Sequence, residues 1–113
     1  MNHPRHHLEI HTQLDDLGRR ILMLAGDIDL QTVGRLRDQI VGQATDGVTV
    51  VVDLRDVDYM DSPGLGALIH CDRILADHGA HLVARAPRGD VLDLLETTRA
   101  AELLRIEGPP EEG

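Results

Sequence analysis

Polar and apolar residues alternate along the first part of the chain. Leu8–Gln13 shows this alternation, and Arg20–Ala25 forms a second short apolar run. Between the two runs stand Asp15, Asp16 and Gly18, which favour a turn. Two strand-like runs joined by a short polar turn predict a β-hairpin.

A nearly continuous run of β-branched residues, Val48–Leu54, is the strongest strand signal in the sequence. Such a run is typical of a central strand that is buried on both faces. His81–Ala84 predicts a further strand, and Leu103–Ile106 predicts a short last one. Because an amphipathic stretch separates Val48–Leu54 from His81–Ala84, we expect these strands to be parallel and joined by a right-handed crossover.

Three stretches between these runs have the spacing of amphipathic helices. The first begins after Asp29, its predicted N-cap, and ends before Gly47. The second follows a predicted loop at 55–61 and ends at Gly79, and the third covers about 88–98. The order ββαβαβα, with a short final β, predicts an α/β fold, a small mixed β-sheet with helices packed on one face.

The two ends of the chain lack this periodicity. Residues 1–7 and 108–113 are polar and contain Pro or Gly, so we expect flexible tails around a single domain at 8–107. The sequence shows neither a signal peptide nor an apolar run of about 18 residues, and Cys71 is its single cysteine. These features predict a cytoplasmic protein with no membrane partner.

The charge balance argues against several classes of function. Twenty acidic residues face 11 basic residues, all Arg, which gives a formal net charge of −9. Such a surface repels phosphate backbones, so no direct nucleic-acid partner is expected. The absence of Lys excludes Schiff-base and P-loop lysine chemistry, and Gly64 and Gly66 do not extend into a dinucleotide-binding fingerprint. We therefore expect no cofactor.

Four acidic residues from the end of the central strand to the start of the second predicted helix lack the spacing of a metal site. They are Asp53, Asp56, Asp58 and Asp61. An EF-hand needs oxygen ligands at fixed loop positions that this set does not provide. The sequence predicts solvated loop carboxylates here and no metal ion.

The segment 53–69, DLRDVDYMDSPGLGALI, leads from the central strand into the second helix. Ligands in open α/β sheets bind beyond the carboxyl ends of the strands, so a functional site is expected here. Since Pro is favoured at the first helical position, Ser62 is predicted as the N-cap and Pro63 as the first helical residue. The Ser62 hydroxyl would then face the amide of Gly64 or Leu65. A helix N-terminus also favours a phosphate, so Ser62 is either a simple cap or a phosphoacceptor.

The same segment resembles a known family signature. In the STAS domains of anti-sigma factor antagonists, an Asp-Ser-Ser/Thr-Gly-Leu-Gly run follows the central strand. Upstream, LAGDIDLQTVGRL at 24–36 is similar to the Gly-Glu-hydrophobic-Asp stretch of that family. The two motifs and the order of elements cover nearly all of residues 8–106, so the whole domain resembles a STAS domain.

The resemblance implies an anti-sigma factor antagonist, a phosphoprotein that regulates transcription by partner switching in bacterial stress or developmental signalling. In this family a partner that is both anti-sigma factor and serine kinase phosphorylates the first Ser of the run, which is Ser62 here. The unphosphorylated antagonist binds this partner and frees the sigma factor, whereas the phosphorylated form dissociates. A serine phosphatase as a further partner is compatible with this resemblance. The chemistry belongs to the kinase, so this chain is not expected to be an enzyme.

Pro63 departs from the family pattern because it replaces the second Ser or Thr of the run and removes an amide. Whether Ser62 is phosphorylated in spite of Pro63 is left open by the sequence. The expected partner-binding residues lie in both motifs, at Asp27, Asp29, Asp58, Met60, Asp61, Gly64, Leu65 and Gly66.

Two other functions are compatible with these residues. A STAS domain that is not phosphorylated would serve as a scaffold or interaction domain in a signalling assembly. Asp27 and Asp29 also resemble the DxD of haloacid-dehalogenase-like phosphatases, although the chain is short for that fold, the expected Thr is displaced to Thr32, and Lys is absent. The purely structural interpretation makes Asp29 a helix cap with Asp27 exposed beside it.

Overall fold

The computed structural model describes residues 7–109, so most of the two predicted tails, 1–7 and 108–113, lies outside the described residues. The elements follow the predicted order: β1 Leu8–Leu14, β2 Arg20–Ile28, α1 Val33–Gly42, β3 Thr49–Met60, α2 Ser62–Asp77, β4 His81–Arg85, α3 Gly89–Thr97 and β5 Arg105–Glu107. A short 3₁₀ turn, Ala100–Glu102, links α3 to β5. Within residues 7–109, no helix has the length and apolar character needed to cross a membrane.

The five strands form one mixed sheet in the order β1-β2-β3-β4-β5. β1 and β2 make the predicted antiparallel hairpin, and every other neighbouring pair is parallel. Val50, Val51 and Val52 of β3 are completely buried, which confirms the central strand predicted from the β-branched run. The C-terminal ends of β2 and β3 therefore lie at the same edge of the sheet, next to the start of α2.

The helices all pack on one face of the sheet, as predicted. Their buried residues join a single apolar cluster with the sheet residues of that face, such as Leu22, Val52 and Leu82. The helical members of this cluster are Leu36, Ile40, Leu65, Leu68, Cys71, Leu75, Val91 and Leu95. Burying one such Leu or Ile contributes about 2 kcal/mol, so this face supplies most of the apolar stabilisation.

The opposite face carries a second, smaller cluster made of Ile21, Val51 and Val83, which are adjacent in the strand register. Charged side chains surround this strip. Arg19 Nε lies 2.6 Å from Asp15 Oδ2, and Arg19 Nη1 lies 3.1 Å from Glu107 Oε2. The hydrogen bond from Arg19 lowers the pKa of Asp15 below its usual value. Arg19 thereby joins the β1–β2 turn to β5.

The predicted loop at 55–61 is wrong, because β3 continues to Met60. This extension pairs with β2, which itself runs to Ile28, and the register shifts at two places along the pair. Gly26 makes the irregular pairing possible with a φ of +117°. A Cβ at Gly26 would lie 2.1 Å from the carbonyl oxygen of His7, so only glycine fits there.

The prediction of Asp29 as the N-cap of α1 is also wrong. The N-cap is Thr32, and α1 begins at Val33. Asp29 Oδ1 instead accepts hydrogen bonds from the amides of Gln31 (2.9 Å) and Thr32 (3.2 Å), which makes a turn before the helix. Asp27 is completely buried at the end of β2, whereas the purely structural interpretation expected it to be exposed.

Candidate functional site

Ser62 is the first residue of α2, and the residue is exposed. The N-cap is Asp61, whose Oδ1 accepts a 2.8 Å hydrogen bond from the amide of Gly64. The predicted assignment of Ser62 as N-cap and Pro63 as first helical residue is therefore displaced by one position. A carboxylate is a stronger acceptor than a hydroxyl at the positive end of a helix, which favours Asp61 over Ser62 as the N-cap. Pro63 is compatible with this start because Pro is tolerated in the first turn. The Ser62 hydroxyl is left outside the cap.

The first turn of α2 is held tightly against the end of β2. The amide of Asp61 donates to the carbonyl oxygen of Ile28 at 3.2 Å. A Cβ at Gly64 would lie 2.6 Å from that same oxygen and 2.9 Å from Ile28 Cγ2. Gly64 is therefore required for this contact between helix and strand. Gly66 faces open space and has no such reason to be glycine.

The residues predicted to bind a partner divide into two groups by exposure. Asp58 and Gly66 are exposed, and Asp61 is partly exposed. The others are buried: Asp27, Asp29, Met60, Gly64 and Leu65. Only the exposed residues can contact another protein in this conformation. The buried residues pack inside the domain and support the backbone around Ser62.

Two exposed apolar residues at this edge of the sheet were missed by the sequence interpretation. Leu30 is 71% exposed and follows β2 by two residues, and Tyr59 is 37% exposed near the end of β3. Leu30 lies in the stretch predicted as the first helix, and Tyr59 lies in the predicted loop at 55–61. The extension of β2 and β3 brings both to the edge of the sheet at which α2 begins.

The acidic residues near this edge do not form one group. Asp58 is exposed, with its Oδ1 4.0 Å from Arg88 Nη2. Asp53, predicted to be solvated, is only 3% exposed, and its Oδ2 accepts hydrogen bonds from Arg85 Nη2 (2.8 Å) and Nε (3.1 Å). The partner lies 32 residues further along the chain on β4, so local sequence could not reveal this buried ion pair.

Ser62 offers a hydroxyl at this edge of the sheet. Among residues 7–109, no group of three or more His, Cys, Asp and Glu side chains is arranged to hold a metal ion. Cys71 is buried, and that burial raises the pKa of its thiol to about 11. The thiol is therefore neutral near pH 7 and suited to packing rather than nucleophilic attack.

A family model described as "Mlab, STAS domain" matches residues 12–105, most of the chain. The chain belongs to the STAS-domain family. This confirms the resemblance carried by the two sequence motifs. The match spans β2, β3 and the start of α2, so the family assignment includes the edge at which Ser62 lies.

Relatives with curated names and solved structures agree with this assignment. The STAS chain is 29% identical over 90 residues to the "Anti-sigma-B factor antagonist" of Bacillus subtilis (strain 168), which covers 80% of this chain and 83% of the relative. An anti-sigma factor antagonist from Mycobacterium paratuberculosis superposes with a TM-score of 0.77 at 20% identity, covering 89% of this chain and 86% of that one. The Bacillus cell fate determinant SpoIIAA in its phosphorylated form gives 0.65 at 17%, over 91% and 93%. The two structural matches establish the fold.

Proposed function

We propose that this STAS protein is an anti-sigma factor antagonist. It binds an anti-sigma factor that is also a serine kinase, and phosphorylation of Ser62 releases it, which regulates sigma-factor-dependent transcription in the bacterial cytoplasm. The observation that carries the proposal is the exposed hydroxyl of Ser62 at the start of α2, outside the helix cap. The name of the Bacillus subtilis relative and the phosphorylated form of SpoIIAA support it.

The proposed modification needs nothing from this chain except an accessible hydroxyl. Ser62 Oγ attacks the γ-phosphorus of ATP held by the kinase, and a new O–P bond forms as the bond to the β,γ-bridging oxygen breaks. ADP leaves, and the hydroxyl proton passes to a base of the kinase. The chain is thus a substrate and a binding protein, with a regulatory rather than an enzymatic role.

The surface that would meet the kinase is defined by the exposed residues around Ser62, and we call it the partner face. Its members are Leu30, Asp58, Tyr59, Ser62 and Gly66. An exposed Tyr and an exposed Leu suit a protein interface, because Tyr is enriched among the residues that carry most of the binding energy and burial of a Leu adds to it. A phosphate adds a charge of about −1.5 to −2 beside Asp58 and Asp61, so repulsion and desolvation favour release.

The first test is phosphorylation and binding with the serine-kinase anti-sigma factor of the same bacterium. With ATP, mass spectrometry should locate one phosphoryl group on Ser62, and Ser62→Ala should remain unmodified and stay bound. Ser62→Asp should bind roughly tenfold more weakly, a difference of about 1.4 kcal/mol. Equal binding by Ser62→Ala and Ser62→Asp would contradict electrostatic release.

The second test removes an apolar anchor from the partner face. Leu30→Ala should weaken kinase binding about tenfold, since burying a Leu side chain fully contributes about 1.5–3 kcal/mol. Its unfolding free energy should stay within about 0.5 kcal/mol of the parent because Leu30 is 71% exposed. Leu17→Ala is the matched control, since Leu17 is 80% exposed in the β1–β2 turn at the opposite end of β2. Equal loss of affinity in both variants would argue against this location of the face.

A STAS interaction domain that is not phosphorylated is the second candidate, and Pro63 favours it. Pro63 stiffens the backbone directly after Ser62, and a kinase must accommodate Ser62 within its active site. Binding without any phosphoryl group on Ser62 would select this function. The phosphatase alternative is disfavoured, because Asp27 and Asp29 are both buried and Asp29 already accepts two backbone hydrogen bonds.

A further inference from the structure

The residues that follow Ser62 at the start of α2 do not offer the free amides that usually make a helix N-terminus a phosphate site. Pro63 has no amide hydrogen. The amide of Gly64 donates to Asp61 Oδ1 at 2.8 Å, and the amide of Leu65 donates to the carbonyl oxygen of Asp61 at 3.0 Å. The three residues after Ser62 therefore have no amide to give to a phosphate unless an existing hydrogen bond is broken.

We propose that Asp61 determines how this chain responds to a phosphate on Ser62. Pro63 has no amide hydrogen, so the next donor along the helix after the amide of Ser62 itself is the amide of Gly64, for which the phosphate and the Asp61 carboxylate compete. Two negative groups cannot share that donor without strong repulsion, so phosphorylation weakens the cap and loosens the first turn of α2. This inference rests on the proposed function in taking Ser62 as the modified residue.

The loosened turn is coupled to the partner face through β2. Asp61 is bound to the carbonyl oxygen of Ile28 at 3.2 Å, and Gly64 is packed against the same atom. Leu30 lies two residues beyond Ile28. A shift of the first turn therefore disturbs the backbone that carries Leu30, so that phosphorylation changes the apolar part of the partner face in addition to its charge.

The experiment uses the full chain with phosphoserine placed at position 62 by genetic code expansion, so no kinase is needed. Thermal unfolding and hydrogen exchange of the Gly64 amide are compared with the unmodified chain. We expect the phosphate to lower the Tm by about 4 °C or more and to speed exchange at Gly64 at least roughly threefold. In Asp61→Ala, where the amide is free, the same phosphate should raise the Tm.

The matched control is Asp58→Asn, which removes a nearby negative charge without touching the cap. Here the phosphate should lower the Tm as much as in the parent chain. If Asp61→Ala does not fold, Asp61→Asn takes its place, because it keeps a hydrogen-bond acceptor without the charge. In that variant the phosphate should lower the Tm by about half as much as in the parent chain, or less. A phosphate that raises the Tm of the parent chain, or that acts equally in the parent and in both Asp61 variants, would overturn the proposal.

These measurements are independent of the binding assay. A kinase that leaves Ser62 unmodified would contradict the proposed function and would not change the Tm comparison. If phosphoserine left the Tm unchanged, the proposed competition for the Gly64 amide would be overturned. The proposed release of the partner by direct electrostatic repulsion would not be affected by that result.

Discussion

Gly64→Ala should destabilise the protein by about 3 kcal/mol. The new Cβ would lie 2.6 Å from the carbonyl oxygen of Ile28, a backbone atom that cannot move alone. Either the first turn of α2 separates from β2, or the end of β2 shifts together with the hydrogen bond from the amide of Asp61. Urea unfolding monitored by circular dichroism measures the loss, and partner binding should decrease with it because the turn carries Ser62.

Gly66→Ala provides the internal control for this prediction, since Gly66 lies in the same helix two residues further on. A Cβ at Gly66 meets nothing within 4 Å, so the substitution should add only helix propensity, a gain of up to about 1 kcal/mol. The two variants are thus expected to change stability in opposite directions. Similar gains from both would show that Gly64 does not make a close contact with Ile28.

Asp53→Ala should cost about 3–5 kcal/mol, the usual effect of removing one partner from a buried ion pair. Arg85 is only 7% exposed, and its guanidinium would keep its charge without its closest carboxylate. Arg55 Nη2, at 3.9 Å from Asp53 Oδ2, adds further positive charge near the same position. The free energy of unfolding from urea titration is again the measurement.

Two variants separate the burial of this pair from its charge. Asp58→Ala breaks the exposed contact with Arg88 and should change stability by less than about 0.5 kcal/mol. Replacing both buried partners, as in Asp53→Leu with Arg85→Met, should recover most of the loss, because neither charge remains buried. A double variant less stable than Asp53→Ala would indicate that the pair itself is strongly favourable.

The order of elements was predictable because each element has a strong local pattern. The β-branched run of β3 and the apolar spacing of α2 do not depend on distant residues. The extension of β3 was missed because Asp56 and Asp58 favour turns locally, whereas pairing with β2 overrides that preference. Strand propensity depends on the neighbouring strand, which the local sequence does not contain.

The start of α2 was predicted to within one residue, and the error has a physical cause. Asp61 and Ser62 are both good N-cap residues. The choice between them depends on the hydrogen bond from Asp61 to Ile28 and on the room that Gly64 leaves, both of which are contacts with a different strand. The exposure of Leu30 was unpredictable for the same reason, because it follows from where β2 ends.

The two ion pairs of Arg19 connect the beginning of the domain with its end. The Arg19 side chain connects Asp15 in the first turn with Glu107 in the last strand, two positions separated by almost the whole domain in sequence. β5 is only three residues long, and beyond its pairing with β4 it is also held by this cross-link. Opening of β5 therefore also breaks this ion pair with the β1–β2 turn, so the two ends of the domain are coupled by about 1 kcal/mol or less.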